Sequence, residues 1–244
     1  MPLRPLSARE LLDAWERGAR GTAAERAVVL LEAAGSGGDA AALPVGRRDA
    51  ALLDLREMTF GARCEAVVDC AACGEPLELA FGLDDVRAEP PGGGGEADGP
   101  GAEELAVTAG GREVRFRLPD TRDLLASIAP GDAEASRRRL LERCVLDPEG
   151  ATGLDDEQSA AVVEGMAAAD PQADVELELE CPSCGARHRE TFDIASFMWS
   201  EVEASAARLL GEVHQLALAY GWREPDVLAL TPARRRFYLE AIGA

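Results

Sequence analysis

The pentapeptide Cys70-Ala71-Ala72-Cys73-Gly74 recurs in the second half of the chain as Cys181-Pro182-Ser183-Cys184-Gly185. Apolar and polar residues alternate on both sides of each copy, over residues 64–81 and 175–192. A period of two around a turn predicts a β-hairpin, here with two cysteines at its tip. The chain therefore contains two hairpins of one design, and the way they pair decides the fold.

The two cysteine pairs predict one metal site with four thiolate ligands, Cys70, Cys73, Cys181 and Cys184. Zn²⁺ takes four such ligands in a tetrahedron, and a CxxC turn followed by Gly presents two of them. One pair alone does not complete the tetrahedron, so the long segment between Cys73 and Cys181 has to fold back. We expect a structural Zn²⁺, because the protein supplies all four ligands and leaves no position open for water, which argues against metal catalysis.

Two other interpretations of the cysteine pairs stay open. Each pair can be a dithiol redox centre, although that chemistry usually places CxxC at the start of a helix in a βαβ unit, whereas strands flank both pairs here. The other is a ribbon that has lost its metal. His188, on the second strand of the second hairpin, is a possible substitute ligand, but with four cysteines available we expect it to be solvated.

Two further cysteines and one histidine lie outside the predicted metal site. Cys64 and Cys144 are each flanked by apolar residues, which predicts buried small hydrophobes. His214 lies on a predicted long helix with no Ser or Cys near it in sequence, so the sequence gives it no catalytic constellation, although contacts in the fold can still supply one.

Composition excludes several function classes. The 244 residues carry a formal charge of -20, and all 25 basic residues are Arg, so there is no P-loop lysine or Schiff-base lysine. Residues 65–197 hold 30 acidic residues against 11 Arg, and this charge would repel a phosphate backbone. No apolar run approaches the roughly 18 residues of a membrane span, and residues 1–6 lack the apolar stretch of a secretory signal. We therefore expect a cytoplasmic protein.

The rest of the chain predicts an α+β fold, with helical N- and C-terminal modules around a zinc-ribbon-like unit of two CxxC β-hairpins. Capping boxes at Ser7 and Thr22 open the first two helices. The predicted segments are a helical module (1–61), a first hairpin (62–86), a Gly/Pro-rich loop with a short hairpin and a helical insertion (87–172), a second hairpin (173–195), and a helical tail (196–244).

The C-terminal tail also carries a predicted partner-binding surface. It is nearly neutral, and its basic run lies close to aromatic residues, a combination that is common where proteins dock on one another. The predicted residues are Trp222, Arg234, Arg235, Arg236, Phe237 and Tyr238.

Several motifs resemble the T4-type baseplate-hub proteins of contractile phage tails over roughly residues 45–130. They are Leu52-Leu53-Asp54-Leu55-Arg56, Phe60-Gly61, Cys70-Ala71-Ala72-Cys73-Gly74 and Leu83-Asp84-Asp85-Val86. The second half resembles related proteins encoded with contractile injection systems. The motifs there are Asp170-Pro171-Gln172-Ala173-Asp174, Cys181-Pro182-Ser183-Cys184-Gly185, Phe192-Asp193-Ile194, Phe197-Met198-Trp199, Glu212-Val213-His214, Tyr220-Gly221-Trp222-Arg223-Glu224 and Arg234-Arg235-Arg236-Phe237-Tyr238-Leu239.

The resemblance implies a non-enzymatic structural or assembly protein of a contractile-tail baseplate. It implies hub or spike proteins as partners, with no nucleic acid, membrane or small-molecule substrate, and action in the cytoplasm or within a tail-like particle. The stretch 92–101 and the acidic middle have no counterpart in the family pattern. Two other functions remain open: a zinc-ribbon adaptor that binds nucleic acid or transcription machinery, and a CxxC thiol oxidoreductase.

Overall fold

The computed structural model describes residues 3–88, 104–146 and 153–243. Helices and small antiparallel hairpins are mixed along the chain, as predicted. In chain order the elements are α1 (Ala8–Gly18), α2 (Ala23–Ala33), α3 (Val45–Phe60), β1 (Arg63–Asp69), β2 (Pro76–Gly82), β3 (Leu105–Ala109), β4 (Arg112–Phe116), α4 (Thr121–Ser127), α5 (Ala133–Cys144), α6 (Asp156–Ala169), β5 (Glu176–Glu180), β6 (Arg187–Thr191), α7 (Ile194–Tyr220), α8 (Glu224–Leu228) and α9 (Pro232–Ala241). The Gly/Pro-rich stretch predicted as a loop, 89–101, lies outside the described residues.

The strands form three separate two-stranded sheets in the described parts of the chain. β1 pairs with β2 from Arg63 opposite Gly82 to Asp69 opposite Pro76, and β5 pairs with β6 from Glu176 opposite Thr191. β3 and β4 form the third hairpin, as the Gly110-Gly111 turn predicts. A two-stranded hairpin is marginally stable by itself in water, so each one depends on what it packs against.

The main hydrophobic core lies between α1, α2, α3 and the first half of α7. Both predicted capping boxes form, with Ser7 and Thr22 accepting from the backbone amides of Glu10 and Glu25. The largest fully buried side chains of this core include Leu30, Leu31, Leu52, Leu53, Leu55, Met198 and Trp199. The three N-terminal helices and α7 therefore share one core.

This shared core joins the segment predicted as the N-terminal helical module, 1–61, to the one predicted as the C-terminal helical tail, 196–244. Met198, Trp199 and Val202 of α7 are buried in the same cluster as the leucines of α2 and α3. Only the far end of α7 packs elsewhere, with Val213 and Leu216 forming a small cluster with α8 and α9.

The two CxxC hairpins are attached to the main core at their open ends. Phe81 at the end of β2 and Phe192 just after β6 meet edge to face, with ring centroids 5.5 Å apart. Phe197, in the first turn of α7, lies 5.5 Å from Phe192 and 6.2 Å from Phe81. The base of each hairpin is thus fixed against α7, and the cysteine tips point away from it.

A buried arginine joins α3, α7 and the start of β1. The Arg56 side chain is 2 % exposed and donates two hydrogen bonds to the Glu201 carboxylate, at 3.0 and 2.8 Å. It also donates to the backbone carbonyls of Gly61 and Arg63. One side chain therefore satisfies acceptors on α7, at the end of α3 and at the start of β1.

A second, smaller core forms where the β3–β4 hairpin packs on α5 and α6, around Val114, Phe116 and Val162. Cys144, at the end of α5, is fully buried, which raises the pKa of its thiol to about 12, and Cys64 is fully buried in the main core. Both cysteines are the small buried hydrophobes that the sequence predicts.

Gly46, in the first turn of α3, is where this second region meets the main core. Its amide donates to the Asp170 carboxylate at 2.8 Å, and a Cβ added to Gly46 would overlap that carboxylate. We therefore expect Gly46→Ala to lower the free energy of unfolding by about 1–3 kcal/mol in urea titrations, because the buried carboxylate has to move and lose its donor.

The matched control is Gly211→Ala on the exposed side of α7, where an added Cβ meets no other atom within 4 Å. This change is expected to raise stability by about 0.5–1 kcal/mol, because Ala favours the helix over Gly. Equal effects of the two substitutions would contradict the role given to Gly46.

Candidate metal centre

The first cysteine turn is held by backbone hydrogen bonds between the ends of β1 and β2. The Cys70 amide donates to the Glu75 carbonyl, and the Gly74 amide donates to the Cys70 carbonyl, both at 2.8 Å. Gly74 has a φ of +73°, in the left-handed region that Gly enters without strain. This turn places the thiols of Cys70 and Cys73 on the same side of the hairpin tip.

The second cysteine turn repeats the first bond for bond. The Cys181 amide donates to the Ala186 carbonyl at 2.9 Å, and the Gly185 amide donates to the Cys181 carbonyl at 2.8 Å. Gly185 has a φ of +71°. The repeat detected in the sequence is therefore a repeat of local structure.

The four predicted cysteines converge. All four Sγ atoms lie within 4.8 Å of one another, with Cys70 to Cys184 at 3.8 Å and Cys73 to Cys181 at 3.7 Å. These separations far exceed a disulfide bond of about 2.05 Å, and all four cysteines are free. Four thiols so placed can hold a metal ion, and they form the one such group in the described parts of the chain.

The contacts between the two hairpins are reciprocal. Each of the two sulfur pairs joins the first cysteine of one hairpin to the second cysteine of the other. Cys70 lies 3.8 Å from Cys184, and Cys181 lies 3.7 Å from Cys73. At the base of the hairpins, Phe81 contacts Phe192, the residue at the equivalent position of the other hairpin segment. The hairpins thus meet as equivalent halves, and each one supplies half of the ligands.

The two thiols of the first hairpin have pKa shifts of opposite direction. Backbone amides of Ala72 and Cys73 donate to the Cys70 sulfur and lower its pKa to about 6. The Glu75 amide lowers the pKa of Cys73, but the neighbouring sulfurs, that of Cys184 first, raise it to about 12. Four sulfurs this close do not all ionise unless a bound cation compensates their charge.

The two cysteines of each hairpin differ in solvent exposure, and the difference is the same on both hairpins. The first cysteine of each motif is buried, with Cys70 2 % and Cys181 0 % exposed, whereas Cys73 and Cys184 are exposed. Leu77 is buried against the inner pair. The arrangement shields one side of the sulfur cluster and leaves the other side open, which provides a path for a metal ion to enter.

The structure corrects the prediction for His188, which is not a solvated residue. Its ring is mostly buried on the inner face of β6, and neither ring nitrogen has a hydrogen-bond partner among the described residues. Its nearest charged neighbour is Glu190, 3.7 Å away. His188 lies outside the sulfur cluster, while His214 is exposed on α7.

The six predicted partner-binding residues are divided between the interior and the surface. Arg235 is buried and already bonded within the chain, donating to Glu212 at 2.7 Å and to the Leu230 carbonyl at 2.6 Å. Trp222 and Tyr238 are half-buried and meet edge to face at 4.9 Å. The exposed members of the set are Arg234, Arg236 and Phe237.

No protein-family model, curated protein or solved structure matches the chain. Among the helices of the described residues, none is long and apolar enough to cross a membrane. The features of the chain that bear on function are therefore the sulfur cluster, the exposed C-terminal residues and the sequence motifs.

Proposed function

We propose that the chain is a non-enzymatic structural or assembly protein of a contractile-tail baseplate, in which one structural Zn²⁺ fastens the two CxxC hairpins to each other. The observation that carries the proposal is the convergence of four sulfurs from hairpins that lie in opposite halves of the sequence. A metal at this point fixes the relative orientation of distant segments, which is a structural task.

The sulfur separations support zinc as the metal. Zn–S bonds of about 2.3 Å in a tetrahedron place neighbouring sulfurs about 3.8 Å apart. The two closest cross-hairpin separations here are 3.8 and 3.7 Å. With four protein thiolates the coordination sphere is closed, as in structural rather than catalytic zinc sites. Iron also accepts four thiolates, so the metal content of the purified chain is the deciding measurement.

The positions of the resembling residues support the baseplate assignment. Leu52, Leu55, Leu83, Val86 and Ile194 all belong to the main core around the hairpin bases. Residues in such positions determine a fold, so the resemblance concerns the framework that holds the cysteine hairpins. The exposed end of α9 then provides the surface for hub or spike proteins.

Phe237 is the residue through which this partner surface can be tested. Its side chain is 65 % exposed and rests on Tyr238, with ring centroids 5.5 Å apart. We expect Phe237→Asp to reduce co-purification with co-expressed hub and spike proteins by about tenfold or more, since an exposed aromatic side chain is a common centre of binding energy. The zinc content should stay unchanged.

The control is Ile128→Asp, which places the same charge on another exposed apolar side chain, at the end of α4. It should retain the association. Binding of hub or spike proteins by neither the wild-type chain nor the control would contradict the baseplate proposal. A metal-free chain that turns over a dithiol substrate would support the thiol oxidoreductase instead, and low-salt binding to nucleic acid would support the adaptor.

A further inference from the structure

A groove of about 750 Å³ opens between the first and last helices of the chain. One wall is built from Arg208 and Leu209 of α7 together with Arg236 and Leu239 of α9. On each helix the lining residues follow the spacing i, i+3, i+4 and i+7, which is one face of a helix. The groove is therefore a regular trough between helix faces, open along one side.

The floor and the opposite wall of the groove are apolar. Leu6, before α1, and Phe60, at the end of α3, line it and are partly exposed, as are Leu228 and Leu239. A smaller hollow of about 360 Å³ shares Phe60 and Arg208 with the groove and extends it toward β1. Together they give an elongated surface on which apolar side chains of a bound segment are removed from water.

The rim of this surface is basic, although the chain as a whole is strongly acidic. Every glutamate that lines the groove or the hollow is paired with an arginine: Glu212 with Arg235 at 2.7 Å, Glu201 with Arg56 at 2.8 Å, and Glu65 with Arg63 at 3.2 Å. The lining contains two further arginines, which take no part in these three ion pairs.

Those two are Arg208 and Arg236. Arg208 donates only to the Ser205 hydroxyl, at 3.2 Å, and Arg236 has no ion pair among the described residues. In a chain with a formal charge of -20, two guanidinium groups without carboxylate partners beside an apolar trough form a local positive site.

We propose that this groove binds an acidic, amphipathic segment of a partner protein. Its apolar side chains would cover Phe60 and Leu239, and its carboxylates would pair with Arg208 and Arg236. The net negative charge of the whole chain would repel a phosphate backbone. A short segment with a few carboxylates interacts only with the basic rim of the groove. The inference does not depend on the baseplate proposal, since the groove and its charges are independent of the assembly the chain joins.

The test is fluorescence anisotropy on the full metal-loaded chain with two labelled peptides. The first is a helical peptide with Leu and Glu at i, i+4 spacing, and the second has Gln in place of each Glu. We expect the Glu peptide to bind about tenfold tighter than the Gln peptide. The double variant Arg208→Glu/Arg236→Glu should weaken binding of the Glu peptide by about tenfold or more, and Arg208→Lys/Arg236→Lys should retain most of it.

The matched control is Arg137→Glu/Arg138→Glu, which makes the same charge change on exposed residues of α5. It should bind the Glu peptide within about twofold of wild type. Circular dichroism and metal content show whether each variant is folded. No binding, equal binding of both peptides, or wild-type affinity in the Arg208/Arg236 charge-reversal variant would overturn the proposal. A dimer that this variant abolishes would assign the groove to a second copy and overturn it too.

Discussion

Cys181→Ser is expected to release the metal and to separate the two hairpins. Cys181 is fully buried, so its replacement leaves three thiolates and a hydroxyl inside the cluster. Structural zinc sites contribute on the order of 10 kcal/mol, which is as large as the total stability of a typical domain. We therefore expect metal content to fall from one Zn²⁺ per chain to a small fraction, and the cooperative thermal transition to be lost or strongly lowered.

Elemental analysis and native mass spectrometry with and without a chelator measure the first effect, and differential scanning calorimetry measures the second. Cys144→Ser is the control, because Cys144 is just as buried but lies at the end of α5, outside the sulfur cluster. It should lose stability and keep its metal. Full metal occupancy in Cys181→Ser, or a wild-type chain without metal, would refute the four-sulfur site.

The second large effect is expected from Arg56→Ala. The substitution leaves the Glu201 carboxylate and the carbonyls of Gly61 and Arg63 without their donor. Breaking a buried ion pair by removing one partner costs about 3–5 kcal/mol, and we expect this loss in urea unfolding at neutral pH. Glu201→Gln in a double-mutant cycle should show that the two effects are not additive.

Arg63→Ala is the matched control for Arg56→Ala. Arg63 pairs with Glu65 across 3.2 Å, but both side chains are largely exposed. Solvent screens such a pair, so its removal should change stability by less than about 1 kcal/mol. If Arg56→Ala were as mild as Arg63→Ala, Arg56 would not be the link between α3 and α7.

The cysteine hairpins were predictable because their signal is local and chemical. Alternation over 64–81 and 175–192 sets the strands, and the CxxC turn with its Gly sets the tip. Ligand number then requires the two tips to meet, whatever lies between them. The capping boxes at Ser7 and Thr22 were predictable for the same reason, since each is complete within four residues.

Other features depend on contacts between distant residues, which no local pattern specifies. Arg56 and Glu201, which form an ion pair, are 145 residues apart in the sequence. The apolar face of α7 indicates that this face is buried, but it does not indicate that α2 and α3 are the helices that cover it. The three consecutive arginines on α9 point in directions about 100° apart, so a run of identical residues did not reveal that Arg235 faces inward.

His188 differs from these residues, because the alternation along β6 in the sequence does indicate which side chains are buried. Arg187, His188, Arg189 and Glu190 alternate along β6, and the period of two places His188 on the face opposite the two arginines. That face is the inner one. The prediction of a solvated ring followed from the residue type, whereas the strand period would have given the observed burial.

The equal division of the four cysteines between two distant hairpins has a consequence for biosynthesis. The ribosome delivers Cys70 and Cys73 first, and their counterparts, Cys181 and Cys184, emerge much later. At about 5–20 residues per second, this delay lasts about 5–20 seconds. Throughout it the nascent chain carries an unfinished half of the cluster, whose thiols are open to oxidation and to capture by other ions. Completion of the four-sulfur cluster is therefore a late event, possible only when the second half leaves the exit tunnel.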